Sequence, residues 1–253
     1  SSKTIRDYIY GTLFIKPQNY QISLSDNKNA LYSKRVLVLK NKIINDCFVQ
    51  DIGNFEVINS IQKFFKDKNI IDICAAPGGK SILLQSLGFN VLAIDKSSNQ
   101  ISKFEENISR LNIKMNIQKI DFLKKKFAAK FNSILLDAPC SALGTFRRNP
   151  DVTVKIHQSQ IRKHQKIQIA MMEKSLKILN NRGFLVYIVC SFHPFETIDV
   201  IDKIMQKHKN IKIHNINSNK MIKRKNGYFI NPLSFKDFGG SDVFFVSVLE
   251  KIK

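Results

Sequence analysis

The chain has 253 residues, 43% hydrophobic and 24% charged, which is enough apolar material for one sizeable core and excludes a disordered or fibrous protein. It sets 41 Lys and Arg against 20 Asp and Glu, a net charge of +21, and so points to a polyanionic partner, nucleic acid first. No run approaches the roughly 18 apolar residues of a membrane span, and Ser1 to Lys16 lacks the continuous apolar stretch of a secretory signal.

Most of the basic residues are Lys, and Ile and Asn are also abundant, as translation from an A/T-rich genome would give. Such drift explains the lysines better than it explains the scarcity of acidic residues. The absence of an initiator Met suggests a trimmed chain or one that begins inside a longer protein. Four cysteines, Cys47, Cys74, Cys140 and Cys190, are too far apart for a CxxC motif and too few for a disulfide scaffold, which fits a reducing cytoplasm. His157 and His164 lie on a predicted helix and are expected to be exposed rather than to hold a metal. No metal is expected, and a monomer is.

In chain order, residues 1–50 read as a small separate α/β element in which Tyr20 to Leu39 alternates like β-structure, and 51–253 as the main domain. Phe55 to Lys68 has the spacing of an amphipathic helix, and Ile70 to Cys74 is a compact apolar strand. Gly78-Gly79 turns into a helix through Leu87, and a second strand, Val91 to Ile94, ends at Asp95. A helix over Ile101 to Leu111 and a strand around Met115 to Ile120 follow; Ser133 to Asp137 is the fourth strand. A long helix, Gln158 to Leu179, precedes the apolar strand Phe184 to Val189, with Asn210 to Asn217 and Asp242 to Leu249 as further strands. Lys223-Arg224-Lys225 reads as a solvated loop.

Apolar strands separated by helices predict a mostly parallel sheet covered on both faces, with ligands at the carboxyl ends of its strands. Cys74, Asp95, Asp121, Asp137, Cys140 and Cys190 all fall at or just after such ends.

Three segments carry chemistry. In Asp72-Ile73-Cys74-Ala75-Ala76-Pro77-Gly78-Gly79-Lys80 a strand end and small residues let the backbone approach a ligand. The two glycines then permit a tight turn into a helix N-terminus, which favours a carboxylate. Gly79 in particular is expected to need a backbone angle that a branched residue resists. Neither GxGxxG nor GxxxxGK[ST] is present. Asp95, at the end of the next strand, suits a ribose diol, so a nucleoside without a phosphate chain is implied, S-adenosylmethionine foremost. The second segment, Asp137-Ala138-Pro139-Cys140-Ser141-Ala142-Leu143-Gly144-Thr145-Phe146-Arg147-Arg148-Asn149-Pro150-Asp151, sets a carboxylate and a thiol beside Arg147 and Arg148, which are able to grip phosphates. The third, Tyr187 to Pro194, puts Cys190 at the end of the adjacent strand.

Together the DICAAPGGK, DAPCSALGTFRRNPD and VCS segments resemble the signature motifs of the RNA cytosine-5 methyltransferases of the Fmu/Sun/RsmB type, over roughly residues 45–250. Phe48-Val49-Gln50-Asp51 looks like the VQD start of that family's catalytic domain. The resemblance implies a Rossmann-like class I methyltransferase fold with a seven-stranded sheet, S-adenosylmethionine as cofactor and RNA, ribosomal above all, as partner. Residue by residue, it implies that Cys74, Ala75, Ala76, Pro77, Gly78, Gly79 and Lys80 surround the methionine part of the cofactor. Asp95 would hold the ribose, Asp121 the adenine edge, and Asp137 would lie where cofactor and cytosine meet. It makes Cys190 the nucleophile and leaves Cys140 to assist release. DNA cytosine-5 methyltransferases instead use the Pro-Cys thiol and carry Glu-Asn-Val, which is absent here.

The chain departs from the family at Val189, where Thr is usual, at Phe192-His193-Pro194-Phe195-Glu196, and at Asp242-Val243-Phe244-Phe245. The helical RNA-binding domain that bacterial ribosomal members carry ahead of this region is not found here, so the chain is expected either to be a fragment or to recognise RNA through its Lys-rich surface, and residues 1–50 are read as a remnant of that domain. Three rivals stay open: a transfer-RNA methyltransferase, a non-catalytic RNA-binding assembly factor on the same fold, and a cysteine hydrolase using His193.

Overall fold

The computed structural model describes residues 11–15, 30–33 and 47–252. Strands β1 (Gly11–Ile15), β2 (Ala30–Ser33) and β3 (Cys47–Gln50) form an antiparallel sheet in the order β2-β1-β3. The rest of the 20–39 stretch, and any helix of the expected N-terminal element, lie outside the described residues.

Asp51 joins β3 to helix α1 (Ile52–Ile61) and caps it, Oδ1 accepting from the Gly53 N–H at 2.8 Å. Apolar spacing alone starts this helix at Phe55, because Gly53 and Asn54 look like turn residues; the cap brings the start forward. The helix stops at Ile61 and tightens into a 3-10 turn, Gln62–Phe64, instead of continuing to Lys68.

The main sheet has nine strands. In chain order they and their helices are β4 (Asn69–Ile73), α2 (Gly79–Ser86), β5 (Asn90–Asp95), α3 (Ser98–Arg110), β6 (Ile117–Lys119), β7 (Phe131–Asp137), α4 (Val152–Lys155), α5 (Gln158–Ile178), β8 (Leu179–Val189), α6 (Ile198–Lys207), β9 (Ile211–Ile213), β10 (Met221–Arg224), β11 (Gly227–Ile230) and β12 (Phe245–Lys251). Their order is β10-β11-β12-β8-β7-β4-β5-β6, with β9 paired to β12. The run β8-β7-β4-β5-β6 is parallel, and β12 returns antiparallel to β8. The β10-β11 hairpin takes the sheet beyond the seven strands expected. It also absorbs the basic run: Lys223 and Arg224 end β10, and Arg224 pairs with Gly227 across the turn.

Alternation along the buried strands divides the core between two faces. Leu135, Val186 and Ile188 pack with Ile58 of α1, Leu83 of α2 and Phe104 of α3. Ile134, Leu136 and Tyr187 pack with Met172 and Leu176 of α5 and Ile201 of α6 on the other face. From β4 the chain builds outward through β5 and β6, then crosses back to β7 on the opposite side. The strand order therefore reverses between β4 and β7, and the crevice beyond their carboxyl ends is the place where such sheets bind ligands.

Candidate active site

The carboxyl ends of β4, β5, β7 and β8 supply the site. At the end of β4, Cys74 takes a left-handed φ of +63°, and Gly78, at φ +111°, turns the chain into α2. The left-handed glycine is thus Gly78, not Gly79. A Cβ on Gly78 would stand 2.9 Å from the Phe104 ring, so this residue makes the turn and stays behind it. Gly79 is needed for space: a Cβ there would lie 3.1 Å from Asn54 Nδ2 and 3.5 Å from the Phe48 ring.

Asp95 ends β5 and accepts from two backbone N–H groups, those of Ala76 at 3.2 Å and Ser97 at 2.9 Å. With Cys74, Ile94, Asp121 and Phe122 it lines a small recess of about 30 Å³. Burial, then the charge of Asp95, pushes the Cys74 thiol well up, so it stays protonated. Ala75, Ala76, Pro77, Gly79 and Lys80 line a wider cleft of about 420 Å³ together with Phe48, Gln50, Asn54, Asp137, Arg148, Cys190 and Phe244. A larger cleft of about 730 Å³ lies at the amino ends of β4, β5 and β7, where Lys114 is the one titratable lining residue among the described residues. The thiols and carboxylates gather instead at the carboxyl ends.

In the cleft, Lys80 Nζ meets Asp137 Oδ2 at 2.7 Å. Burial works to lower the Lys80 pKa, but Asp137 outweighs it and the ammonium is held above its ordinary value. Cys140 Sγ and Cys190 Sγ are 3.3 Å apart. The Cys190 pKa is lowered, chiefly by the hydrogen bond from Cys140 and, against burial and Asp137, by Lys80. Cys140 is pushed well above the ordinary thiol range by the same bond and by burial. The geometry agrees with this division, because Cys190 lines the cleft beside Lys80 and Cys140 does not.

Glu196, which the sequence marks only as a departure, ties the two thiol loops together. It is fully buried, and its carboxylate accepts from Ser141 N–H at 2.7 Å, Ser141 Oγ at 2.5 Å and Ser191 Oγ at 2.6 Å. Tyr187 Oη donates to its backbone carbonyl at 2.7 Å, and Gly144 N–H donates to the Cys190 carbonyl at 2.9 Å. The signal was the serine that follows each cysteine, two hydroxyls in need of one buried acceptor.

The arginines are placed differently from the expectation that both grip phosphate. Arg147 Nη2 pairs with Asp51 Oδ2 at 2.9 Å and lies 3.6 Å from Asp242 Oδ1; Arg148 Nε pairs with Asp242 Oδ2 at 2.6 Å. Asp242 is fully buried, and the Asp51 pKa rises to about 6 through burial and then the charge of Asp242. This network fastens the start of α1 to the loops after β7 and before β12. Arg148 keeps a side chain 48% exposed and borders the cleft, whereas Arg147 is at 19%.

His193 Nδ1 accepts from Phe195 N–H at 3.2 Å in the turn before Glu196, and no histidine among the described residues lines the cleft. The hydrolase reading therefore lacks its base. His157, the N-cap residue of α5, is exposed as expected, whereas His164 is half-buried, its Nδ1 3.3 Å from Glu196 Oε1. Among the described residues no His, Cys, Asp or Glu cluster is arranged to hold a metal, and no helix is long and apolar enough to cross a membrane.

A parallel sheet with its switch point at β4/β7, a glycine turn into α2, and two carboxylates at a recess beyond β5 are features of the Rossmann-like class I methyltransferase fold. The residues fit S-adenosylmethionine: Gly79 leaves the space a side chain would fill, and Asp95 and Asp121 line the recess beyond β5. The 16S rRNA methyltransferase RsmB/F family model matches residues 61–250, and the chain belongs to this family. It is similar to ribosomal RNA small subunit methyltransferase B of Photorhabdus laumondii, 31% identical over 208 residues, covering 80% of this chain and 46% of the relative. The probable ribosomal RNA small subunit methyltransferase B of Coxiella burnetii is 28% identical over 217 residues, covering 81% of this chain and 49% of that one. The chain thus spans about half the length of the curated relatives it matches. Among solved structures, NSun6 from Pyrococcus horikoshii with SFG superposes with a TM-score of 0.72 at 27% identity, over 85% of this chain and 56% of that one. The protein PH0851 shares the fold with a TM-score of 0.80 at 19% identity, over 96% of this chain and 59% of that one. S-adenosylmethionine is the cofactor.

Proposed function

We propose that this protein methylates C5 of a cytosine in RNA, with ribosomal RNA as the substrate class, through a covalent bond from Cys190 to C6. The observation that carries the reading is the pair of thiols 3.3 Å apart, one of them beside the Lys80–Asp137 ion pair in the cleft. Membership of the RsmB/F family supports it.

C5 of cytosine is a poor nucleophile, and a thiolate added to C6 pushes electron density onto it. Cys190 is suited to the attack because the hydrogen bond from Cys140, with help from Lys80, favours its thiolate. As the Cys190 S–C6 bond forms, the C5–C6 electrons shift toward C5 and charge accumulates toward N3. The Lys80 ammonium, held in place by Asp137, offers the proton or hydrogen bond that stabilises this charge. S-adenosylmethionine supplies the methyl group as an electrophile on a sulfonium. Water in the cleft then takes the C5 proton, the C5–H electrons restore the C5–C6 double bond, and the S–C6 bond breaks with its electron pair on the sulfur of Cys190. Cys140, kept protonated, donates to the departing sulfur of Cys190. The target base must leave its stack to reach a cleft of this depth, so a loop or remodelled strand is the preferred RNA. Arg148 at the rim and the Lys-rich surface attract phosphates.

The test is incubation with methyl-labelled S-adenosylmethionine and RNA, followed by mapping of the labelled nucleoside. Label on C5 of cytidine is the expected result. Label on another base, or on protein alone, contradicts the reading.

A further inference from the structure

Two phenylalanines on the thiol loops are left in water and take no part in the chemistry above. Phe146 is 45% exposed and Phe192 43%. Their rings meet edge to face, with centroids 6.1 Å apart and planes at 89°. Neither ring belongs to the core on either face of the sheet, so packing of the fold does not account for the pair.

The pair is tied to the cleft from both sides. Phe146 stands two residues before Arg148 and Phe192 two residues after Cys190, and Arg148 and Cys190 both line the cleft. The two loops are fastened to each other within two residues of each ring. Gly144 N–H donates to the Cys190 carbonyl at 2.9 Å, and a Cβ on Gly144 would lie 2.9 Å from the carbonyl carbon of Cys190. The backbones therefore meet directly, and the rings are held in register with the attacking thiol.

Cations flank the rings. The Arg148 side chain is 48% exposed, and Arg162, exposed on α5, lies over the Phe195 ring 4.4 Å from its centroid, three residues beyond Phe192. Exposed aromatic rings among cations suit a single nucleic-acid strand, whose bases stack on the rings while its phosphates meet the cations. A second copy of this chain would set +21 against +21 and is disfavoured as the occupant. Flipping also supplies a reason for the rings. A base that leaves its stack strips its neighbour of a stacking partner, at a cost in free energy that a ring beside the cleft offsets.

We propose that Phe146 and Phe192 stack a base of the RNA next to the target cytosine and so hold the strand open while the cytosine enters the cleft. The proposal rests on the RNA reading above and adds to it the residues that meet the flanking nucleotide.

Fluorescence anisotropy in the presence of S-adenosylhomocysteine tests it with two labelled strands of about 12 nucleotides. One is oligocytidine RNA; the other is a chain of tetrahydrofuran abasic sites with the same number of phosphates. Phe146→Ala and Phe192→Ala should each weaken oligocytidine binding by roughly tenfold, the size of one lost base stack. Binding of the abasic strand should stay within about twofold of the parent, which also reports that each variant is folded. Phe192→Tyr keeps the ring and should bind oligocytidine as the parent does. Equal loss on both strands overturns the proposal, since the rings would then only support the thiol loops. Unchanged oligocytidine binding by both Ala variants overturns it as well. If the parent binds neither strand, the RNA reading itself fails and the proposal falls with it.

Discussion

Replacing Glu196 by Gln keeps the shape of the side chain and removes its charge and one acceptor. In the native protein both serine hydroxyls already accept weakly from backbone N–H groups, Leu143 to Ser141 Oγ at 3.4 Å and His193 to Ser191 Oγ at 3.2 Å, and spend their protons on the carboxylate. A Gln side chain can still accept from the Ser141 N–H, but its NH₂ would face two hydroxyls whose own protons then lose their acceptor. Two charge-assisted hydrogen bonds are lost, each worth about 1.5–3 kcal/mol, so the variant should be destabilised by roughly 3 kcal/mol. For a chain of this size that corresponds to a fall in Tm of about 6–12 °C. The same bonds hold the Cys140 and Cys190 loops in register, so kcat should fall while cofactor affinity, set on the far side of the cleft, is kept. Differential scanning calorimetry and single-turnover methylation at a temperature where the variant is folded measure the two effects. An unchanged Tm would show that the carboxylate is not the acceptor it is taken to be; a lowered Tm with unchanged kcat would show that the thiol loops are held by other means.

Asp72 is fully buried, accepts from Ser81 Oγ at 2.5 Å, and has its pKa raised by burial from 3.8 to about 7. The native state therefore keeps a proton that the unfolded chain releases, and stability is lost as pH rises from about 4 through 7. Asp72→Asn should gain on the parent over that window by up to roughly 4 kcal/mol in urea titrations, and a pH-independent difference would mean that Asp72 does not titrate there. Arg147→Ala, which leaves the nearly buried Asp51 short of its partner, and Arg148→Ala, which takes the 2.6 Å partner from the fully buried Asp242, should each cost about 3 kcal/mol, and Arg148→Ala should also weaken RNA binding. A cost below about 1 kcal/mol for either in urea titrations would contradict the ion-pair geometry. With about five phosphate contacts, log K for RNA should fall against log salt with a slope of roughly −4, and a flat response in filter binding would make the +21 charge compositional.

The parallel sheet was legible because β4, β7 and β8 are buried on both faces and read as unbroken apolar runs. The ends of β5, β7 and β8 could be placed from Asp95, Asp137 and Cys190, each the first polar or thiol group after such a run. What the sequence concealed were pairings between distant segments. Nothing in Gly53-Asn54 advertises a helix until Asp51 is seen to cap it. The positive φ could not be assigned between Gly78 and Gly79, because each is required for a different reason, one for backbone conformation and one for space. Arg147 and Arg148 look like phosphate ligands in isolation, and it is Asp51 and Asp242, far off in sequence, that claim them. The β10-β11 hairpin was hidden by its charge, since β10 is exposed at Ile222, Lys223 and Arg224 and its Lys-Arg run mimics a loop.

The central claim, that Cys190 attacks the base and Cys140 serves its release, is tested most directly by trapping the bond. Cys140→Ser and Cys190→Ser proteins are incubated with end-labelled RNA and S-adenosylmethionine and run on a denaturing gel. Cys140→Ser leaves the attacking thiol in place, so methyl transfer proceeds while release is slowed, and a slow-migrating protein–RNA adduct should accumulate. Cys190→Ser replaces the thiol by a hydroxyl of far higher pKa and should give neither adduct nor methylated RNA. An adduct with Cys190→Ser and none with Cys140→Ser would reverse the two roles, and full activity of both variants without any adduct would contradict covalent catalysis by this pair.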